Sequence, residues 1–279
     1  MRCSMWLRRL CVGAVALVSI AAVSGEASAF DDSKYPNLKG QWDRVGSPAW
    51  VPPGAPPAPL TPEYQAIFEA NLADQAAGGP GDVPSFACIP QGMPMMMNLY
   101  DPMELIVTPD ETYILISHVD DSYRRIYTDG RDWPEDAAPT YAGYSIGKWI
   151  DEDGDGRYDA LEIETRRIKG PHAYDASGLP FHRDNAAVIK ERIYLDKADP
   201  DILYDRITVF DHALTQPWTI LKKAHRNPNP RPVWLSEVCS EDTNWVRIGK
   251  DAYFLSADGY LMPVRKDQPP PDLRYFKQK

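Results

Sequence analysis

From Met103 onward, apolar and polar positions alternate in short runs separated by polar turns, the period-two pattern of half-buried strands. Residues 103–108 and 113–118 flank Pro109-Asp-Glu111 and read as a hairpin, with 123–128 pairing next. Residues 146–150 and 161–168 form a second hairpin, and 187–195 with 203–210 a third around Asp196-Lys-Ala-Asp-Pro200. Residues 217–223, 245–248 and 252–256 continue the series. Helical spacing occurs convincingly once, in Tyr64, Ile67, Phe68, Leu72 and Ala76. Thr61 is placed to cap that helix and Pro62 to start it. Gly78-Gly-Pro-Gly81 stops it. The pattern predicts a mainly β chain, an antiparallel barrel or sandwich with one N-terminal helix.

Three divisions follow. Residues 1–29 have a charged start (Arg2, Arg8, Arg9), an apolar core and the small-residue site Ala27-Ser-Ala29, the layout of a secretory signal peptide. Residues 30–62 read as an extended lead-in, with seven prolines in the fifteen residues from Pro48 to Pro62. That density forbids regular ladders. Residues 63–279 read as a single β-rich domain. Leu38-Lys-Gly-Gln-Trp42 resembles the Gly-x-Trp entry of lipocalin-like barrels, which implies a Trp plugging one barrel end.

The second hairpin has an unusual tip, Asp151-Glu-Asp-Gly-Asp-Gly-Arg-Tyr-Asp-Ala-Leu-Glu162. It fits the calcium-loop pattern D-x-[DN]-x-[DN]-G-x5-E at every specified place. Calcium takes about six to eight oxygen ligands, which alternating aspartates on a curled loop supply. By position the ligands are Asp151, Asp153, Asp155, the Arg157 carbonyl, Asp159 and Glu162. The loop resembles those of EF-hands and dockerin repeats. Its flanks, rich in aromatic and β-branched residues, read as strands, so it is expected at the tip of a hairpin spanning 144–168. A calcium ion there would lock the tip.

Cleavage after Ala29 removes Arg2, Arg8, Arg9 and Glu26, leaving 27 basic against 39 acidic side chains. So negative a chain is a poor partner for nucleic acid or anionic membrane. No other segment is long and apolar enough to span a membrane. A periplasmic or secreted location follows. Cys3 and Cys11 leave with the signal, and Cys88 and Cys239 are expected to form a disulfide in an oxidising compartment. The Met95-Met-Met97 run offers soft sulfur, but no histidine lies near it in sequence, and it reads as packing or the lining of a ligand pocket.

Arg124-Arg-Ile-Tyr-Thr-Asp-Gly-Arg131, Tyr144-Ser-Ile-Gly-Lys-Trp149, Glu191-Arg-Ile193, Gln216-Pro-Trp218 and Glu237-Val-Cys239, in this order, resemble a family of exported bacterial β-rich proteins of unassigned function. The resemblance implies export and a β-rich body, and brings no reaction with it.

For chemistry, the richest set is His118, Arg124, Arg125, Tyr127, Asp129, Arg131 and His182. Alternation puts one of the paired arginines inside. There it needs a carboxylate, from Glu191, Asp205 or a bound ligand. Two readings stand. One is a calcium-bearing barrel that binds a small apolar or aromatic molecule. The other is a lyase, isomerase or hydrolase using Arg125, Tyr127 and His182 as an acid–base group.

Overall fold

A computed structural model describes residues 30–239, 244–249, 251–272 and 274; the expected signal peptide, 1–29, lies outside the described residues. The alternating runs become nine strands closed into a barrel, so the barrel alternative holds and the sandwich does not. The strands are β1 (Gln41–Arg44), β2 (Met103–Val107), β3 (Glu111–His118), β4 (Asp120–Tyr127) and β5 (Tyr144–Ile150). They continue with β6 (Ala160–Arg166), β7 (Val188–Leu195), β8 (Ile202–Phe210) and β9 (Trp218–Arg226). A separate small sheet follows, of β10 (Trp245–Ile248), β11 (Asp251–Leu255) and β12 (Leu261–Pro263).

The expected all-antiparallel order is corrected at one seam. β4 and β5 run parallel, joined through Ile126↔Ser145 and Tyr127↔Ile146. The reason is parity. In an uninterrupted meander of nine strands the first and last point the same way, yet β1 and β9 close the barrel antiparallel. One parallel step reconciles the two. Because β5 starts level with the end of β4, the β5–β6 hairpin runs on past it. Its tip, 151–159, therefore lies at the barrel end towards which β4 runs. The β3–β4 turn at Val119 lies at the opposite end.

The lead-in is not a mere leader. β1 closes the barrel from within it, and Trp42 and Trp50 are fully buried. Residues 52–57, where prolines cluster, do stay exposed. The helix α1 spans Pro62–Ala76, and the Thr61 hydroxyl accepts a hydrogen bond from the Tyr64 N–H. The methionine run packs: Met93, Met95, Met96 and Met97 are all buried, and Met93, Met96 and Met97 share a core cluster with Trp50 and Tyr174. Cys88 and Cys239 form a disulfide with Cα atoms 5.5 Å apart. It ties the chain beyond β9 to the turn after α1.

Inward positions on each strand are mostly aliphatic, as in Ile114, Ile116, Ile126, Ile163, Ile189, Ile193 and Ile207. Among them sits a buried ion pair. Arg124 is the inward arginine and Glu191 its partner, with Nη1 2.8 Å from Oε1 and a second contact from Nη2 to Oε2. Arg124 also donates to Thr165 Oγ1 at 2.6 Å and Ser145 Oγ at 3.2 Å. One side chain thus bonds to three successive strands, β5, β6 and β7. Burial, with the Glu191 charge nearby, holds the Asp205 carboxyl well above the usual carboxylate range.

Breaking a buried pair strands a charge, at about 3–5 kcal/mol. Glu191→Ala should lose that much stability in urea unfolding, while Arg124→Met with Glu191→Leu should recover most of it. A Glu191→Ala loss below about 1 kcal/mol would show that the pair does not hold the interior together.

Candidate functional site

The acidic tip is built on strand register. Lys148↔Glu162 and Ile150↔Ala160 are cross-strand pairs, so nine residues turn the chain between Ile150 and Ala160. Gly154 (φ +76°) and Gly156 (φ +88°) adopt the left-handed backbone that a side chain disfavours. The loop folds onto its own carboxylates. Asp151 accepts from the N–H of Gly154 at 2.7 Å and of Gly156 at 2.9 Å. Asp159 accepts from Glu152 N–H at 2.7 Å, and its own N–H donates to the Ile150 carbonyl at 2.7 Å.

This curl brings ligand oxygens of Asp151, Asp153 and Asp159 within 4.8 Å of one another. The side chains of Asp155 and Glu162 are not in that group. Asp155 accepts from Arg157 N–H at 2.8 Å. Glu162, outside the loop proper on β6, pairs with Arg192 at 2.6 Å. In an EF-hand the twelfth residue turns back from a helix, whereas a strand carries it along the sheet. Three carboxylates so close repel by about 1 kcal/mol per pair at the dielectric of water, and several times that near a protein surface. A hard divalent cation held by the three carboxylates would offset that cost.

The tip is anchored to the barrel. Tyr158 N–H donates to the Lys34 carbonyl at 2.7 Å, and the Tyr35 ring packs against Trp149 and Tyr158, both at 5.1 Å. Beside it opens a cavity of about 640 Å³, lined by Pro36, Glu152, Tyr158, Asp159, Arg192 and Lys197 among others. Asp159 faces both the cavity and the carboxylate cluster.

Of the acid–base candidates, Arg125 and Tyr127 lie together and His182 contacts neither. Arg125 projects outward, 3.5 Å from Glu111, with its guanidinium over the rings of Tyr113 and Tyr127. Tyr127 stacks on Tyr144 at 4.9 Å, and Arg131 covers its ring at 3.8 Å. His182 is fully buried against Phe181, with Nε2 2.8 Å from the Ile168 carbonyl oxygen. Among the described residues no hydrogen bond, ion pair or ring contact joins His182 to Arg125 or Tyr127.

The chain matches no family model, no curated protein and no solved structure. Its chemistry therefore rests on its own residues.

Another cluster escaped the sequence reading. Asp101, His118 and Glu237 place one ligand atom each within 4.8 Å of the others. His118 was a candidate, but its partners were not. One signal was available for Asp101. The β2–β3 register pairs Met103 with Ile116, and two more residues along it bring Asp101 opposite His118. Glu237 arrives from the chain beyond β9, which local pattern does not position.

Burial pushes His182 down to about 4 and Asp211 up to about 6. The His182 backbone N–H donates to Asp211 Oδ2 at 3.0 Å. A depressed histidine contributes stability that is present above its unfolded value of 6.5 and lost as pH falls through about 4. The raised Asp211 acts oppositely, its contribution being lost as pH rises through about 6. Between pH 4 and 6 the two oppose. In His182→Gln only the Asp211 effect remains, so unfolding free energy should fall more steeply with rising pH than in the wild type. Parallel pH profiles would show that His182 is not held neutral.

Proposed function

We propose that the chain is an exported, calcium-stabilised β-barrel that binds a small molecule. The observation that carries the reading is the convergence of Asp151, Asp153 and Asp159 at a hairpin tip with the calcium-loop sequence. Calcium there would fix the tip against residues 34–36, and Asp159 would transmit its occupancy to the adjoining cavity. That cavity pairs the rings of Tyr158 and Tyr194 with Arg192 and Lys197. Its tyrosine rings offer a packing surface for a small apolar or aromatic molecule. The barrel lumen is a less suitable place for a ligand, since large side chains fill it from Trp42 to Trp50.

Export is supported by the Cys88–Cys239 disulfide, which is compatible with an oxidising compartment. No helix among the described residues is long and apolar enough to cross a membrane. The acid–base alternative lacks a proton-transfer partner for Arg125 and Tyr127, since His182 contacts neither.

A ligand that binds only the folded state raises its melting point. At calcium about 100-fold above Kd the gain is about 2.7 kcal/mol, roughly 5–10 °C for a chain of this size. The mature protein should show that rise over chelator, magnesium should give a smaller one, and Asp151→Ala with Asp153→Ala should cancel it. Equal midpoints in calcium and chelator would refute the reading.

A further inference from the structure

At the barrel end opposite the acidic tip, the turn between β3 and β4 is as tight as a hairpin allows. His118 pairs directly with Asp120, leaving Val119 alone between them. Val119 has φ +70°, an outlier for a β-branched residue. Strain of this kind persists only where surrounding contacts impose it. Here they are identifiable. Val119 N–H donates to Glu237 Oε2 at 2.7 Å, Asp121 N–H to the Glu237 carbonyl at 3.0 Å, and Cys239 N–H to Asp120 Oδ1 at 3.0 Å. The disulfide from Cys239 to Cys88 fastens the same segment. On the other side, Asp101 contacts His118 Nδ1. The Tyr100 ring lies flat on the imidazole at 4.8 Å, and its hydroxyl accepts from Ala176 N–H at 3.0 Å.

The result is a mixed set of donors, one imidazole and two carboxylates, held by three separate parts of the chain. It also opens onto a cleft. A cavity of about 330 Å³ is lined by His118 and Glu237 together with Phe86, Trp245 and Phe254. Two of those aromatic residues come from the small sheet, whose Trp245 ring packs on Phe86 at 5.6 Å and on Phe254 at 4.3 Å.

We propose that Asp101, His118 and Glu237 form a three-ligand site for a divalent transition metal of the zinc class, with its remaining coordination position directed into the aromatic cleft. Imidazole selects zinc-class ions over calcium and magnesium. Three protein ligands with one open position is the arrangement in which zinc binds water or a ligand oxygen. The ligand this site would take has a carboxylate or carbonyl oxygen for the metal and an apolar body for Phe86, Trp245 and Phe254. The site is independent of the acidic tip, where every expected donor is oxygen.

The test is a calorimetric zinc titration of the mature protein in saturating calcium, which separates this site from the acidic tip. One zinc per chain should bind. Affinity should fall by at least about 100-fold in His118→Ala and in Glu237→Gln, above the range seen when only supporting residues are changed. It should be unchanged in Asp151→Ala with Asp153→Ala, and in His212→Ala, which removes the exposed His212–Asp184 pair. No zinc uptake would overturn the proposal, as would uptake that survives His118→Ala or disappears in His212→Ala. If either ligand variant fails to fold, X-ray absorption of the zinc-loaded wild type decides. One imidazole with oxygens at about 2.0–2.2 Å supports the site, and a shell without imidazole overturns it.

Discussion

The barrel depends on how its parallel seam is held. Nine strands can close antiparallel only if one neighbouring pair runs in the same direction, and the β4–β5 pair that does so is joined by only two residue pairs. Parallel pairing is slightly weaker per residue than antiparallel, so two pairs make a short joint. Arg124 compensates from inside. It leaves β4 and bonds to Ser145 on β5, Thr165 on β6 and Glu191 on β7, crossing the seam with charge-assisted hydrogen bonds. Gly147 permits the close approach, because a Cβ there would lie 2.7 Å from the Ile126 side chain. The same parallel step sends β5 and β6 past their neighbour and carries the acidic tip out to the barrel end.

A barrel closed in this way separates its two ends. At one, residues 34–36 and the aromatic group of Tyr35, Trp149 and Tyr158 brace the acidic tip. At the other, the Met93–Met97 packing, Trp50 and the Lys222 ammonium fill the barrel. Lys222 reaches Asn98 Oδ1 at 2.7 Å and lies 4.7 Å from the centre of the Trp50 ring. Burial pushes it down to about 8. Arg124 is paired with Glu191 in the same interior.

Strands were legible in the sequence wherever alternation sets which face is buried. The pattern also showed that one of Arg124 and Arg125 must point inward and named Glu191 as a possible partner. The acidic tip was legible because its chemistry is local, all within twelve consecutive residues. What escaped was non-local. Gly40-Gln-Trp42 hinted at a strand entry, but β1 is only four residues long, and its pairing with β2 and β9 is not written in local pattern. Glu162 reads as a loop ligand by position, but the β6 register turns it toward Arg192. Glu237 joins Asp101 and His118 from more than a hundred positions along the chain, which no periodicity encodes.

The central claim is that the acidic tip holds calcium, and a crystal structure of the mature protein grown in calcium tests it most directly. The account predicts an ion with the oxygens of Asp151, Asp153 and Asp159 at about 2.3–2.6 Å, the loop backbone otherwise as described. A tip that keeps its hydrogen bonds and holds no ion in saturating calcium would contradict it, and would leave Asp151-Glu-Asp-Gly-Asp-Gly156 as an acidic turn.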